Sequence, residues 1–287
     1  MTVLEVIQKS SEFLTGKGIP SPRLEVEWIL AHVLSMPRLH LYLNFNKELA
    51  GDELDRVRAM VMRRGKREPL QHILGTIPFC GIELAVDRNA LIPRPETELL
   101  AELGWQFLQK TRQGVGTLRA LDFGTGTGCL AIALALHAPC EVWALDKSKA
   151  ALGLAGRNIA ALKLEHRIHL VLGENFSNLP RDVQFDLVIS NPPYIPTEEI
   201  PHLEPEVREH DPREALDGGK DGLDYFRLLA AHAAQVLTAD GKLMAEFGDG
   251  QSPAIAEIYS RHGWTIEAFK ADDTGRARIV IALPRKS

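Results

Sequence analysis

Asn191-Pro192-Pro193-Tyr194 joins residue types suited to holding a planar amino group. An Asn carboxamide offers an acceptor oxygen and two N–H donors. The two prolines lack N–H groups, so the carbonyls beside them stay free of ladder bonds. The Asn191 oxygen and the Pro192 carbonyl can then both accept from one –NH2 group. Tyr194 offers a flat face for that group to stack on. Such a site suits a nitrogen conjugated into an amide or a base. The same four residues also fit a proline-rich turn after a strand.

The elements around the tetrapeptide favour the chemical reading. Phe185-Asp186-Leu187-Val188-Ile189 is a short apolar run, as expected of a buried parallel strand. Asn191 therefore falls just past the carboxyl end of a strand, where open α/β sheets keep their ligands.

Upstream, Leu118–Phe123 reads as another strand, and Gly124-Thr125-Gly126-Thr127-Gly128 follows it ahead of a helix over 129–137. Glycines let the backbone approach a ligand closely at a helix N-terminus. The pattern is D-x-G-x-G-x-G from Asp122, distinct from the G-x-G-x-x-G of dinucleotide binders. A third strand over 141–145 ends at Asp146, 24 residues after Asp122. A carboxylate there can take both hydroxyls of an adenosine ribose, or it can cap the next helix. A fourth strand, 167–172, delivers Gly173-Glu174-Asn175-Phe176. Phe176 can pack on an adenine ring or belong to the core.

The rest of the chain frames this set. A helix is expected over 3–15, stopped by Gly16 and Gly18. Ser21-Pro22 reads as an N-cap with proline in the first turn, ahead of a helix lined by Leu24, Trp28, Ile29 and Leu34. Another helix starts at Gly51-Asp52, with Leu54, Val57, Val61 and Met62 apolar. No strand pattern precedes about residue 75, so 1–75 reads as a helical domain. Residues 76–95 read as a β-hairpin linker, with a strand over 79–86 turned by Asp87-Arg88-Asn89. The remaining 96–287 carries the βαβ rhythm. Pro95 can start a helix, with Glu96 and Glu98 in its first turn. Residues 195–224 read as a long loop with 10 acidic and 3 basic residues, and loops of that length are usually functional or disordered. A helix over 223–237, a strand over 242–247, a helix over 253–262 and a final hairpin near 264–283 complete the sheet.

Composition excludes several classes. With 45% hydrophobic and 25% charged residues, the 287-residue chain reads as a soluble globular protein. No apolar run reaches transmembrane length, and Met1–Gln8 lacks the basic start of a signal peptide. Cys80, Cys129 and Cys140 form no C-x-x-C pair, which fits a cytoplasmic protein. The histidines show no metal spacing, so no metal is expected. A net charge of −5 argues against stable, nonspecific nucleic-acid binding. Arg56, Arg58, Arg63, Arg64, Lys66 and Arg67 nonetheless cluster. They form either a solvated helix end or a docking surface for RNA or an acidic protein.

Asp122–Gly128, Asp146 and Asn191–Tyr194 together resemble a class I S-adenosylmethionine-dependent methyltransferase acting on nitrogen. Leu91-Ile92-Pro93-Arg94-Pro95-Glu96-Thr97-Glu98, Glu206-Val207-Arg208 and the run Ala215-Leu216-Asp217-Gly218-Gly219-Lys220-Asp221-Gly222-Leu223 narrow the likeness. They are similar to the HemK family of peptide-chain release factor glutamine methyltransferases. The likeness is strong over about 65–287. Before that, it is one of architecture more than motif.

The resemblance implies an α/β fold: a Rossmann-like seven-stranded class I methyltransferase sheet with an antiparallel last hairpin, joined by a β-hairpin to a small N-terminal helical domain. It implies S-adenosylmethionine as cofactor and S-adenosylhomocysteine as product. Class 1 release factors would be the partners, methylated on the glutamine of their Gly-Gly-Gln motif. Gly124, Thr125, Gly126, Thr127, Gly128 and Asp146 would hold the cofactor, with Asn191 beside it. Asn191, Pro192, Pro193 and Tyr194 would hold the glutamine amide, Asn191 and Tyr194 being the catalytic pair. Many members have tryptophan in the Gly173–Phe176 segment, which leaves the adenine-covering role open between Asn175 and Phe176. Two rivals stand beside this reading. A DNA or RNA base amino-methyltransferase meets the same –NH2 geometry on an extruded or single-stranded base. A noncatalytic cofactor-binding scaffold would keep the fold without turnover.

Overall fold

Short, largely apolar stretches become the central strands of the sheet. The computed structural model describes residues 1–111 and 117–285. Its contacts divide the chain into two units: Met1–Thr76 with Glu204–His210, and the remainder from Ile77.

In the first unit, helices run over Val3–Thr15, Pro22–Val33, Gly51–Arg64, Leu70–Leu74 and Pro205–His210. Thr2 and Glu5 form a reciprocal capping box at the start, at 2.9 and 3.3 Å. Val3, Ile7, Leu14, Val26, Ile29, Leu30, Leu41, Val57 and Val61 make the core. Two expectations need correction. Ser21 precedes the proline-started helix, but it is left-handed and its hydroxyl makes no cap bond. Leu24 and Trp28 are exposed, since Val26, Ile29 and Leu30 take the inward face.

The basic cluster, open between two readings, is partly paired. Arg63 holds Glu68 with two bonds of 2.8 and 2.6 Å. Arg64 is buried, pairs with Glu25, and places Nη1 2.9 Å from Glu206. Arg67 Nη2 lies 2.7 Å from Glu206 and 3.1 Å from Glu204. Three of its guanidiniums are thus engaged within the unit, which counts against an open anion-binding face. Glu204–His210, expected as loop, is the acidic piece that pairs with Arg64 and Arg67.

A hairpin of β1 (Thr76–Phe79) and β2 (Ile82–Ala85) follows, all but Thr76 in the second unit. Its turn is Cys80-Gly81, with φ of 48° and 78°. Both central residues are left-handed, as two-residue hairpin turns demand. The turn therefore falls seven residues before the expected Asp87-Arg88-Asn89. Helix Pro95–Lys110 follows.

The main sheet contains β3 (Leu118–Phe123), β4 (Cys140–Asp146), β5 (Ile168–Leu172), β6 (Phe185–Ser190), β7 (Leu237–Glu246), β8 (Trp264–Ala271) and β9 (Ala277–Pro284). Their order is β5-β4-β3-β6-β7-β9-β8. The pairs from β5 to β7 are parallel, and β9 is antiparallel to both β7 and β8. Strand β7 starts at Leu237, ahead of the expected 242. Side chains alternate between two cores: Ala120, Val142, Ala144, Leu187 and Ile189 on one face, Leu121, Trp143, Leu145 and Val188 on the other. Burial on both faces explains why these strands read as continuous apolar runs. The chain builds outward from β3 to β5, then returns to place β6 on the other side of β3. That reversal opens a crevice past the carboxyl ends of β3, β4 and β6.

Candidate active site

The glycine turn is fastened from three directions. Gly124 and Thr125 donate their N–H groups to Leu145 O at 2.8 and 3.0 Å. Gly126 N donates to Asp146 Oδ2 at 2.9 Å. Below the turn, Asp122 Oδ2 accepts from Thr125 Oγ1 at 2.6 Å and from Ala131 N at 3.1 Å. Asp122 is fully buried, and burial pushes its carboxyl up to about 7 despite those two bonds. Gly124 and Gly126 have φ of 77° and 55°, a region that favours glycine. No heavy atom lies within 4 Å of where a Gly124 side chain would begin. The turn is therefore bare backbone facing a cavity.

Asp146 lines that cavity. Its Oδ1 accepts from Ser148 N at 2.8 Å, so both oxygens are oriented and still have lone pairs to offer. It does not cap the following helix, because Ser148 does so through Ala151 N. Burial is the main reason its carboxyl lies above the ordinary aspartate value.

Thr125, Thr127, Asn191 and Pro193 also line the cavity. Gly128 does not; it caps helix Cys129–His137, and a Cβ there would meet Ala155 Cβ at 3.2 Å. Neither Asn175 nor Phe176 lines it. Asn175 is exposed and accepts from Ser177 N at 2.9 Å. Phe176 is buried and stacks on Phe123 with ring centroids 5.1 Å apart. Gly173 and Glu174 form that wall instead.

Asn191 Nδ2 donates to Thr97 Oγ1 at 3.0 Å. Its Oδ1 is buried and has no hydrogen-bond partner among the described residues. A buried acceptor without a donor is costly unless a ligand supplies one. Thr97 Oγ1 donates to Glu246 Oε2 at 2.7 Å, and Tyr194 Oη reaches Glu246 Oε1 at 3.4 Å. Burial pushes Glu246 up to about 7, while its Thr97 bond pulls it back. Burial also raises the Tyr194 phenol, with Glu246 adding to the effect.

Pro192 is buried, and Tyr194 does not line the cavity. The Tyr194 carbonyl accepts from Gln251 Nε2 at 2.9 Å. A Cβ at Gly218 would meet Pro193 O at 2.8 Å, and one at Gly222 would meet Tyr194 O at 2.3 Å. The Ala215–Leu223 motif thus packs on the amide loop.

Thr97, Glu246 and Gln251 escaped the sequence reading. Two of them had a signal: Thr97 lies in the Leu91–Glu98 motif, and Glu246 ends a strand beside other strand ends that carry candidate residues.

The sheet order, the glycine turn opposite an acidic strand end, and the cavity between them define a class I S-adenosylmethionine-dependent methyltransferase. A methyltransferase structure from Pyrococcus furiosus shares the fold, with 20% identity, a TM-score of 0.53, and coverage of 72% of this chain and 91% of that one. Residues 5–75 match the PrmC N-terminal domain and residues 101–203 the methyltransferase small domain. A release factor glutamine methyltransferase of Geobacter sulfurreducens is 43% identical, covering 97% of this chain and 95% of that protein. One of Deinococcus radiodurans is 38% identical, covering 98% of each. The chain belongs to the release factor glutamine methyltransferase family.

Proposed function

We propose that this enzyme methylates the side-chain amide nitrogen of the glutamine in the Gly-Gly-Gln motif of class 1 release factors, in the cytoplasm. The observation that carries the reading is the buried, unpartnered Asn191 Oδ1 beside the cavity. It needs an N–H donor, and a primary amide brings two.

The residues present fit the cofactor. The bare glycine turn can lie against it, and Asp146 can accept from ribose hydroxyls. S-adenosylmethionine, when bound, supplies an electrophilic methyl group and leaves as S-adenosylhomocysteine. An amide nitrogen is a poor nucleophile because its lone pair is delocalised into the carbonyl. Asn191 Oδ1, accepting one N–H, favours pyramidal nitrogen and localises that lone pair. Fixing the nitrogen in line is the rest of the catalysis. The proton leaves to water after transfer, so no base is required beforehand. Asn191 is assigned to the amide on this basis. Tyr194 bounds the loop through its ring, and the glycine turn with Asp146 serves the cofactor.

The amide pocket reads only an –NH2 group, so partner choice falls to other surfaces. Residues 1–75 are assigned to docking the release factor, with 76–95 as linker and 96–287 as the methyltransferase domain. The acidic stretch 195–224 would speed association with a basic face of the partner. A base-methylating activity loses its main surface argument, because Arg63, Arg64 and Arg67 are paired with glutamates.

The test is mass spectrometry of the Gly-Gly-Gln peptide from release factor incubated with enzyme and cofactor. One added methyl group on the glutamine is expected. An unmodified glutamine in the presence of bound cofactor would sink the reading.

A further inference from the structure

Thr97 lies between two partners with a single hydroxyl proton to give. It is 1% exposed and Glu246 is 2% exposed, so water does not compete for either. In its ionised form, which prevails above about pH 7, Glu246 only accepts, and it takes the Thr97 proton at 2.7 Å. Thr97 Oγ1 can then only accept from Asn191, and it meets Nδ2 at 3.0 Å. A reversed carboxamide would set Asn191 Oδ1 against the lone pairs of Thr97. It would also turn –NH2 toward the substrate –NH2, donors against donors. The second carboxylate oxygen of Glu246 faces the Tyr194 hydroxyl, another donor. The direction of each bond therefore follows from an acceptor-only group at one end.

Resting on the function proposed above, we propose that Glu246 and Thr97 are positioning residues that fix the Asn191 carboxamide with its oxygen toward the substrate amide. Each acts through Asn191. The carboxylate sets the Thr97 hydroxyl, and the hydroxyl sets the amide. Three elements far apart in sequence supply the relay: the first turn of helix Pro95–Lys110, the end of β7 and the loop after β6. Without the Thr97 contact nothing opposes the reversed carboxamide, and binding would have to reorient it.

The experiment compares wild type with Thr97→Val, Thr97→Ser and Glu246→Gln. Thr97→Val keeps the shape and removes the hydroxyl. It is expected to lower kcat on release factor on the order of tenfold, the scale of one lost polar contact, without changing cofactor affinity in calorimetry. Thr97→Ser keeps the hydroxyl and is expected to retain most of kcat. Glu246→Gln can donate to Thr97, which frees the Thr97 proton for Asn191 Oδ1, so kcat is expected to fall with it.

A second readout does not need turnover. The Asn191 side-chain amide resonances are identified by their loss in Asn191→Asp. One Nδ2 proton is expected to exchange slowly in wild type and faster in Thr97→Val. Native kcat in folded Thr97→Val, or Asn191 resonances unmoved by it, would overturn the relay. Wild type that leaves release factor unmodified would overturn the substrate reading alone, and the Asn191 resonances would still decide the relay.

Discussion

Ser190 Oγ donates to the Phe123 carbonyl at 2.6 Å, deep in the sheet. The bond ties the strand that carries the amide loop to the strand that carries the glycine turn. Both residues are buried, so the contact is sheltered from solvent. Ser190→Ala is expected to cost about 1–2 kcal/mol of stability, and to weaken cofactor binding together with kcat. Urea denaturation and calorimetry on the same preparation check this. A variant as stable as wild type with only one function impaired would show that the two loops are held independently.

Asp146 does two jobs in the structure. It anchors Gly126 and Ser148 by their N–H groups and presents its remaining lone pairs to the cavity. Asp146→Ala is expected to weaken S-adenosylmethionine binding by about 1.5–3 kcal/mol, the range for a charged hydrogen bond. Calorimetry on folded variant is the measurement, and unchanged affinity removes Asp146 from the cofactor site.

The amide loop separates acceptor from ring. Asn191→Ala is expected to cut kcat by roughly 10²-fold, as loss of a polar contact at a reacting centre does, while sparing cofactor affinity. Tyr194→Phe loses only a long 3.4 Å contact to Glu246. It should retain far more activity than Tyr194→Ala, which empties the space beside Gly248. Steady-state kinetics on intact release factor distinguishes the two. Equal loss in both would assign the work to the hydroxyl.

Glu246 makes stability depend on pH in an unusual direction. Its carboxyl rises from 4.5 to about 7 on folding, chiefly through burial, with Thr97 and Tyr194 opposing and Glu96 and Arg278 acting on it from nearby. The folded state therefore binds more protons than the unfolded chain between those values. This contribution is full below about 4.5 and is lost as pH rises through about 7, amounting to a few kcal/mol at most. Glu246→Gln lacks the titration, so its Tm relative to wild type should rise between pH 5 and pH 8. Thermal denaturation of both proteins at the two values is the test. A constant Tm difference would mean that Glu246 keeps an ordinary pKa.

The parallel strands were legible because burial on both faces leaves largely apolar runs, and the candidate site residues sit at or just past their ends. Asp122, Gly124, Gly126, Asp146 and Asn191 could be found that way. The hairpin turn was misplaced because Asp87-Arg88-Asn89 has turn-forming types, whereas Cys80 does not advertise a left-handed backbone. Leu24 and Trp28 looked inward because apolar type alone does not say which side of a helix has a neighbour. Thr97 and Glu246 were hidden for a different reason. Their bond joins positions 149 apart in sequence, and neither residue type is unusual where it stands. Phe176 illustrates the opposite error: its aromatic ring invites a ligand, but Phe123 takes the stacking position.

The helical unit is discontinuous, since Glu204–His210 belongs with residues 1–76. During synthesis at roughly 5–20 residues per second, the first 76 residues emerge many seconds before their last component. Arg64 then has Glu25 at hand but must wait for Glu206 to be translated. Cutting the gene near codon 76 would leave the acidic segment behind without Arg64 and Arg67, and those arginines without Glu204 and Glu206. The unit is therefore finished only when most of the methyltransferase sheet has left the ribosome, and the order of birth of the two parts is not the order of their completion.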